Sequence, residues 1–209
     1  MAALFYSGFA VLMAALEVEI EGPFGWAERL PTWYRCRGAA ARIYGMFMGG
    51  RPLTGYHCWV FLLSLYFVHA GLLRPPRWTL IDEVTALSRY FVLAVQWDFL
   101  WFVLNPVFGW KGFRRERIWW HCGRWWGRFP RDYYLAVFIA VSLSGVEAFL
   151  QSSLVPLCRY LIYLAETLFI TLCFVLVARW YRRWHRWMRR PGADDRPLAG
   201  ICHPSDPDR

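Results

Sequence analysis

Glu17 and Glu21 lie one helical turn apart at the end of an apolar run, and Glu19 falls on the opposite side. His57 opens a second apolar run in LTGYHCW. Asp98 stands inside a third, AVQWDFLWFVLNPVFGW (94–110), sharing a face with Trp101 and Asn105, and His121 follows in IWWHCG. Carboxylate with imidazole is a ligand set for a divalent metal, or an acid/base pair working near neutral pH. Glu21, His57, Asp98, Asn105 and His121 are therefore the candidate catalytic residues. Glu17, Glu21, His57 and His121 are the candidate metal ligands. No HxxxH or HExxH pair places two ligands on one helix, so a divalent metal rests on proximity between segments. The competing structural reading keeps the glutamates in boundary water and the histidines on lipid headgroups.

A second group is deeper. Counting about 1.5 Å of rise per residue, His69 lies ~18 Å beyond the level of His57, and Gln96, Glu147 and Glu166 come to a similar level. Four polar groups on four segments at one depth make either a buried hydrogen-bond network or a proton or ion pathway. Asp98 falls between the two layers and is expected to look into the bundle, toward His57 or His69, because a carboxylate facing lipid is expelled or neutralised. Arg29, Arg35, Arg42 and Arg51 are candidate substrate-binding cations for a phosphate headgroup.

The elements that must position these groups are apolar helices. Of 209 residues, 57% are hydrophobic and 20% aromatic, with fourteen Trp, which excludes an ordinary soluble domain. Five apolar runs, 1–20, 57–73, 88–108, 133–155 and 160–178, each approach the roughly 20 helical residues that cross a bilayer. The first lacks the basic residue that opens a signal peptide and reads as a retained helix. The fold class is an all-α integral membrane protein: a bundle of about five transmembrane helices with amphipathic interfacial segments. The segment RWTLIDEVTALSRY reads as a helix leading into the third span, and Pro106 ends that span.

The net charge of +9 reflects topology, not nucleic-acid binding, because Arg and Lys sit between and after the apolar runs. Residues 21–56 hold five of them, 109–132 seven and the stretch from Arg179 eight, against three in 74–89 and one in 156–159. The heavily basic connections belong in the cytoplasm, which puts the N-terminus outside and the C-terminus inside a bacterial cytoplasmic (inner) membrane. GPFGWAERLPTWYRCRG and FRRERIWWHCGRWWGRFPRD interleave Trp with Arg, as does RWYRRWHRWMRR at 179–190. All three suit anionic headgroups, the last as an interfacial helix. Residues 191–209, rich in Pro, Gly and Asp, read as a disordered cytoplasmic tail. The six Cys form no CxxC pair, and a disulfide framework is not expected.

EIEGPFGWAERLPTW (19–33), GGRPLTGYH (49–57), DFLWFVLNPVFG (98–109) and IWWH (118–121) resemble an uncharacterised group of small bacterial multi-pass membrane proteins. The resemblance implies fold and membrane location and brings no activity. The group's pattern has an acidic residue before the aspartate, where this chain has Trp97, so no carboxylate pair stands at 97–98.

Three functions stay open. The first is an integral-membrane enzyme acting on a lipid or isoprenoid at the cytoplasmic interface. The second is a non-enzymatic accessory or scaffold subunit, acting as a homo-oligomer or with a partner membrane subunit. The third is a proton- or ion-coupled carrier through His69, Glu147 and Glu166. Phosphate-cradling Gly loops, GxSxG and dinucleotide fingerprints are absent.

Overall fold

The computed structural model describes residues 1–70, 78–121 and 124–189, apart from the side chains of Phe47 and Trp119. The expected tail at 191–209, the end of the 57–73 run, Cys122 and Cys202 lie outside the described residues. Helices dominate: α1 (Ala2–Glu21), α2 (Ala39–Phe47), α3 (Gly55–Ala70), α4 (Leu80–Leu104), α5 (Gly109–Gly112), α6 (Arg131–Leu150) and α7 (Val155–Met188). Two antiparallel ribbons of two-residue strands interrupt the expected all-α pattern. β1 (Tyr34–Arg35) pairs with β2 (Leu53–Thr54), and β3 (Trp125–Trp126) with β4 (Phe129–Pro130). The Trp–Arg connections thus fold back on themselves.

Among the described residues four helices, α1, α4, α6 and α7, are long and apolar enough to cross a membrane. α3 is described over 16 residues, about 24 Å of rise. α4 starts at a capping box in which Thr79 Oγ1 accepts from the Asp82 N–H and Asp82 Oδ2 accepts from the Thr79 N–H. It stops at Leu104 because Asn105 precedes Pro106 and takes extended backbone, φ −60° and ψ 123°. The last two helices divide at 151–154 and not at the expected 156–159, since Pro156 fits the first turn of α7. α7 then runs unbroken for 34 residues, about 51 Å, past the end of the other helices.

α4 is the axis of the molecule, packed by α1, α3, α6 and α7, with Leu93, Leu100, Phe102 and Val103 fully enclosed. Cross-links give the directions. Ser7 and Gly22 of the α1 end meet Gln96 and Asn105, so α1 runs parallel to α4. α7 also runs parallel, through Tyr160 to Ser88 and Thr171 to Gln96. α3 is antiparallel, since Phe61 packs on Trp97 while His69 reaches Glu83. The end of α1, the start of α3, the end of α4 and the start of α6 therefore meet at one end of the bundle. The outer faces of α6 and α7 are apolar, with Phe138, Phe149, Phe169 and Leu176 all more than two-thirds exposed.

Candidate functional site

The site is built where those helix ends meet. After α1 the chain turns at Gly22 and doubles back through Trp26 and Ala27, both left-handed at φ 56° and 54°. Each costs about 1 kcal/mol for an L-residue. Both are held by the site itself. The Ala27 N–H donates to Glu21 Oε1 at 2.5 Å. The Trp26 ring stacks on His57 with centroids 4.1 Å apart and planes 17° off parallel, and its Nε1 donates to Pro52 O at 3.0 Å. Thr54 Oγ1 lies 2.7 Å from His57 Nδ1 and accepts from the His57 backbone N–H. His57 Nε2 is thereby aimed at Glu21 Oε1, 3.9 Å away. Tyr56 Oη donates to Glu17 Oε1 at 3.3 Å. Glu17, Glu21 and His57 are each at least nine-tenths buried, and one ligand atom from each lies within 4.8 Å of the others.

A second arm faces this trio. Arg51 Nη2 donates to Asp132 Oδ2 at 2.5 Å and to His121 Nδ1 at 3.0 Å. That donation assigns the Nδ1 lone pair to Arg51 and leaves the proton on Nε2, which lies 3.4 Å from Asp98 Oδ2. Tyr133 Oη donates to the same Asp98 oxygen. Arg51, 5% exposed, also lies over the Trp26 ring at 4.4 Å, which ties the two arms together. It reaches the interior through the Gly49–Gly50 turn, whose φ values of 65° and 85° are glycine conformations.

Both arms line one cavity of about 230 Å³. Its polar end holds Glu17, Glu21, His57, Arg51, Asp98, His121, Asp132 and Tyr133. Its apolar end runs across α4 between Phe61 of α3 and Leu135, Ala136 and Ile139 of α6, past Phe91, Ala94 and Val95. Glu21, His57, Asp98 and His121 of the expected catalytic set are brought together. Asn105 is not: it is fully enclosed, donates to Gly22 O at 2.7 Å and accepts from the Val107 N–H, so it clasps the end of α4 to the end of α1. Asp98 turns to His121 and Tyr133 instead of His69. Of the four expected arginines only Arg51 lines the cavity. Arg35 and Arg42 are exposed, and Arg29 lies over Phe24 at 3.9 Å.

The deeper layer does not converge. His69 pairs with Glu83 at 3.0 Å, and Gln96 donates to Ser7 and Thr171 at 2.9 and 2.8 Å. Glu147 accepts from Gln151 within its own helix end, and Glu166 is exposed. The expected common level does not hold: Glu83, which His69 meets, lies thirteen residues, about 20 Å, before Gln96 on α4, and Glu147 and Glu166 face other sides. Asp132 and Tyr133 were missed because they follow Arg131 at a basic boundary, where a carboxylate reads as solvated. The Gly-Gly before Arg51 is the signal that marks the inward arginine.

Comparison of the chain with protein-family models, with curated proteins and with solved structures finds no match.

Proposed function

We propose that this chain is an integral-membrane enzyme acting on a membrane amphiphile, a lipid or isoprenoid, at the cytoplasmic face of a bacterial inner membrane. The observation that carries this reading is the single cavity with an acid–imidazole end and an apolar arm leading out between α3 and α6. A polar head fits the first and a hydrocarbon tail the second. The exposed Phe and Leu on α6 and α7 suit contact with acyl chains, and α3 supplies the fifth crossing. The Arg-rich connections gather at the site's end of the bundle, which supports a cytoplasmic orientation for that end. α7 overhangs the same end, with Trp180, Trp184 and Trp187 each more than half exposed among arginines, as an interfacial helix on anionic lipid requires.

The two arms divide the work. His121 Nδ1 is taken by Arg51, its Nε2 lies 3.4 Å from Asp98, and Arg51 is bound to Asp132, so this arm positions Asp98. Asp98 and the Glu17–Glu21–His57 trio are the groups that face an incoming head, Asp98 as proton acceptor. The observation favouring a scaffold is that Arg51, Asp132, His121, Asp98 and Tyr133 pair largely with one another, as a packing device also needs. The resemblance to small bacterial multi-pass membrane proteins agrees with either.

The test is bound-lipid mass spectrometry on detergent-purified protein, with cellular lipid profiles. Wild type carries an amphiphile, and Ala136→Trp, which blocks the apolar arm, carries none. His57→Ala and Asp98→Asn keep the helical fold and shift the cellular profile toward substrate. Unaltered lipid profiles with both variants folded and inserted end the enzyme reading. A matched loss of thermal stability without a lipid change supports the scaffold.

A further inference from the structure

We propose that Glu17, Glu21 and His57 bind one divalent transition-metal ion of the Mn²⁺, Fe²⁺ or Zn²⁺ kind. Two carboxylates one helical turn apart are buried with an imidazole from another helix, their ligand atoms within 4.8 Å of one another. Among the described residues no Arg or Lys lies within ion-pair distance of either glutamate, since the nearby Arg51 pairs with Asp132. Buried carboxylates are retained where they are paired or hold a metal.

The surroundings are those of a ligand shell. Thr54 Oγ1 can accept the Nδ1 proton of His57, leaving Nε2 as the donor nitrogen beside Glu21. Metal-bound histidines are oriented in this way. Ala27 and Tyr56 fix one oxygen each of Glu21 and Glu17. An imidazole with two carboxylates selects a transition metal over Mg²⁺ or Ca²⁺. Three protein ligands leave positions open, and they open onto the cavity. His121 is outside the set: its Nδ1 is taken by Arg51, and its ring faces Asp98 and not the two glutamates.

The ion also resolves the charge of the polar end. Glu17, Glu21, Asp98 and Asp132 face the single guanidinium of Arg51 there, so an anionic head such as a phosphate needs a cation to enter. This deepens the amphiphile reading, yet metal uptake is measured without a substrate, so the two fail separately.

Chelator-treated protein in detergent is titrated with Mn²⁺, Zn²⁺ and Co²⁺ by calorimetry and thermal shift. Wild type is expected to take up one equivalent and melt higher, and Co²⁺ to show visible d–d absorption. Glu21→Gln and His57→Ala lose uptake. Thr54→Val, which keeps all three ligands, weakens it about 10- to 100-fold. Ala136→Trp, which blocks only the apolar arm, binds metal as wild type does. Folded wild type without stoichiometric uptake or a Co²⁺ spectrum overturns the site, as does unchanged uptake in Glu17→Gln/Glu21→Gln. Uptake by wild type with no bound amphiphile overturns the amphiphile reading and leaves the metal site standing.

Discussion

Arg51 holds three groups at once: the Asp132 carboxylate, the His121 ring nitrogen and the face of Trp26. Removing a buried ion-pair partner leaves the other charge uncompensated, at a cost of 3–5 kcal/mol in fully enclosed pairs. Asp132 retains 31% side-chain exposure, so water offsets part of that loss. Arg51→Met is therefore expected to destabilise by about 3 kcal/mol, the lower end of that range, measured as denaturant unfolding in detergent. Replacing both partners, Arg51→Met with Asp132→Leu, removes the stranded charge and should recover part of the loss. A double variant no more stable than the single one would mean that Arg51 acts mainly through His121. Arg51 also marks how far single residues were legible. GGRP differs visibly from the other arginine contexts, but only the folded chain shows that Arg29, Arg35 and Arg42 stay outside the cavity.

Helices align side chains by depth and by direction, and these were unequally legible. The three-four spacing placed Glu17 and Glu21 together on α1, away from Glu19, which pairs with His185 at 2.8 Å. Helical rise put His57 at their level. Direction between helices was not available, because rotation about each axis depends on which face packs. Depth itself failed for Gln96, because His69 pairs with Glu83, thirteen residues and about 20 Å before Gln96 on α4. The clasps between elements make the contrast testable. Asn105→Ala removes the bond to Gly22 O and the cap on Val107 at a fully enclosed position, an expected loss of about 2 kcal/mol. Gln96→Leu, an apolar replacement of similar size, should cost about 0.6 kcal/mol, because Thr171 still donates to Thr167 O. Comparable losses for the two would refute the view that the Asn105 clasp holds the helices more strongly than the Gln96 cross-link does. Gly25 is a third such point. A Cβ there would come within 2.4 Å of the Trp120 ring, so Gly25→Ala should lower the melting temperature and loosen the Trp26–Ala27 turn above the site.

At the scale of the whole molecule, the site exists because five chain segments deliver their ends to one place. α1, α4 and α7 run one way and α3 runs back along α4, while the first turn of α6 brings Tyr133 to Asp98. In a membrane this arrangement has a consequence independent of any activity. Cys36 after β1 and position 115 after α5 must lie on the same side, and Gln151, in the turn between α6 and α7, on the other. All three are exposed. Single-cysteine proteins carrying Cys36, Arg115→Cys or Gln151→Cys in a cysteine-free background can be treated with an impermeant maleimide on intact cells. Gln151→Cys should label at once, and the other two only after the membrane is permeabilised. Labelling of Cys36 and position 115 from opposite sides would separate Glu17, Glu21 and His57 from Asp98 and His121. The cavity would then have no membrane-bound counterpart. Labelling of all three from outside would keep the cavity whole and invert it. The arginine asymmetry argues against that outcome, since twelve of the twenty-four basic residues lie in the two connections that bracket the site.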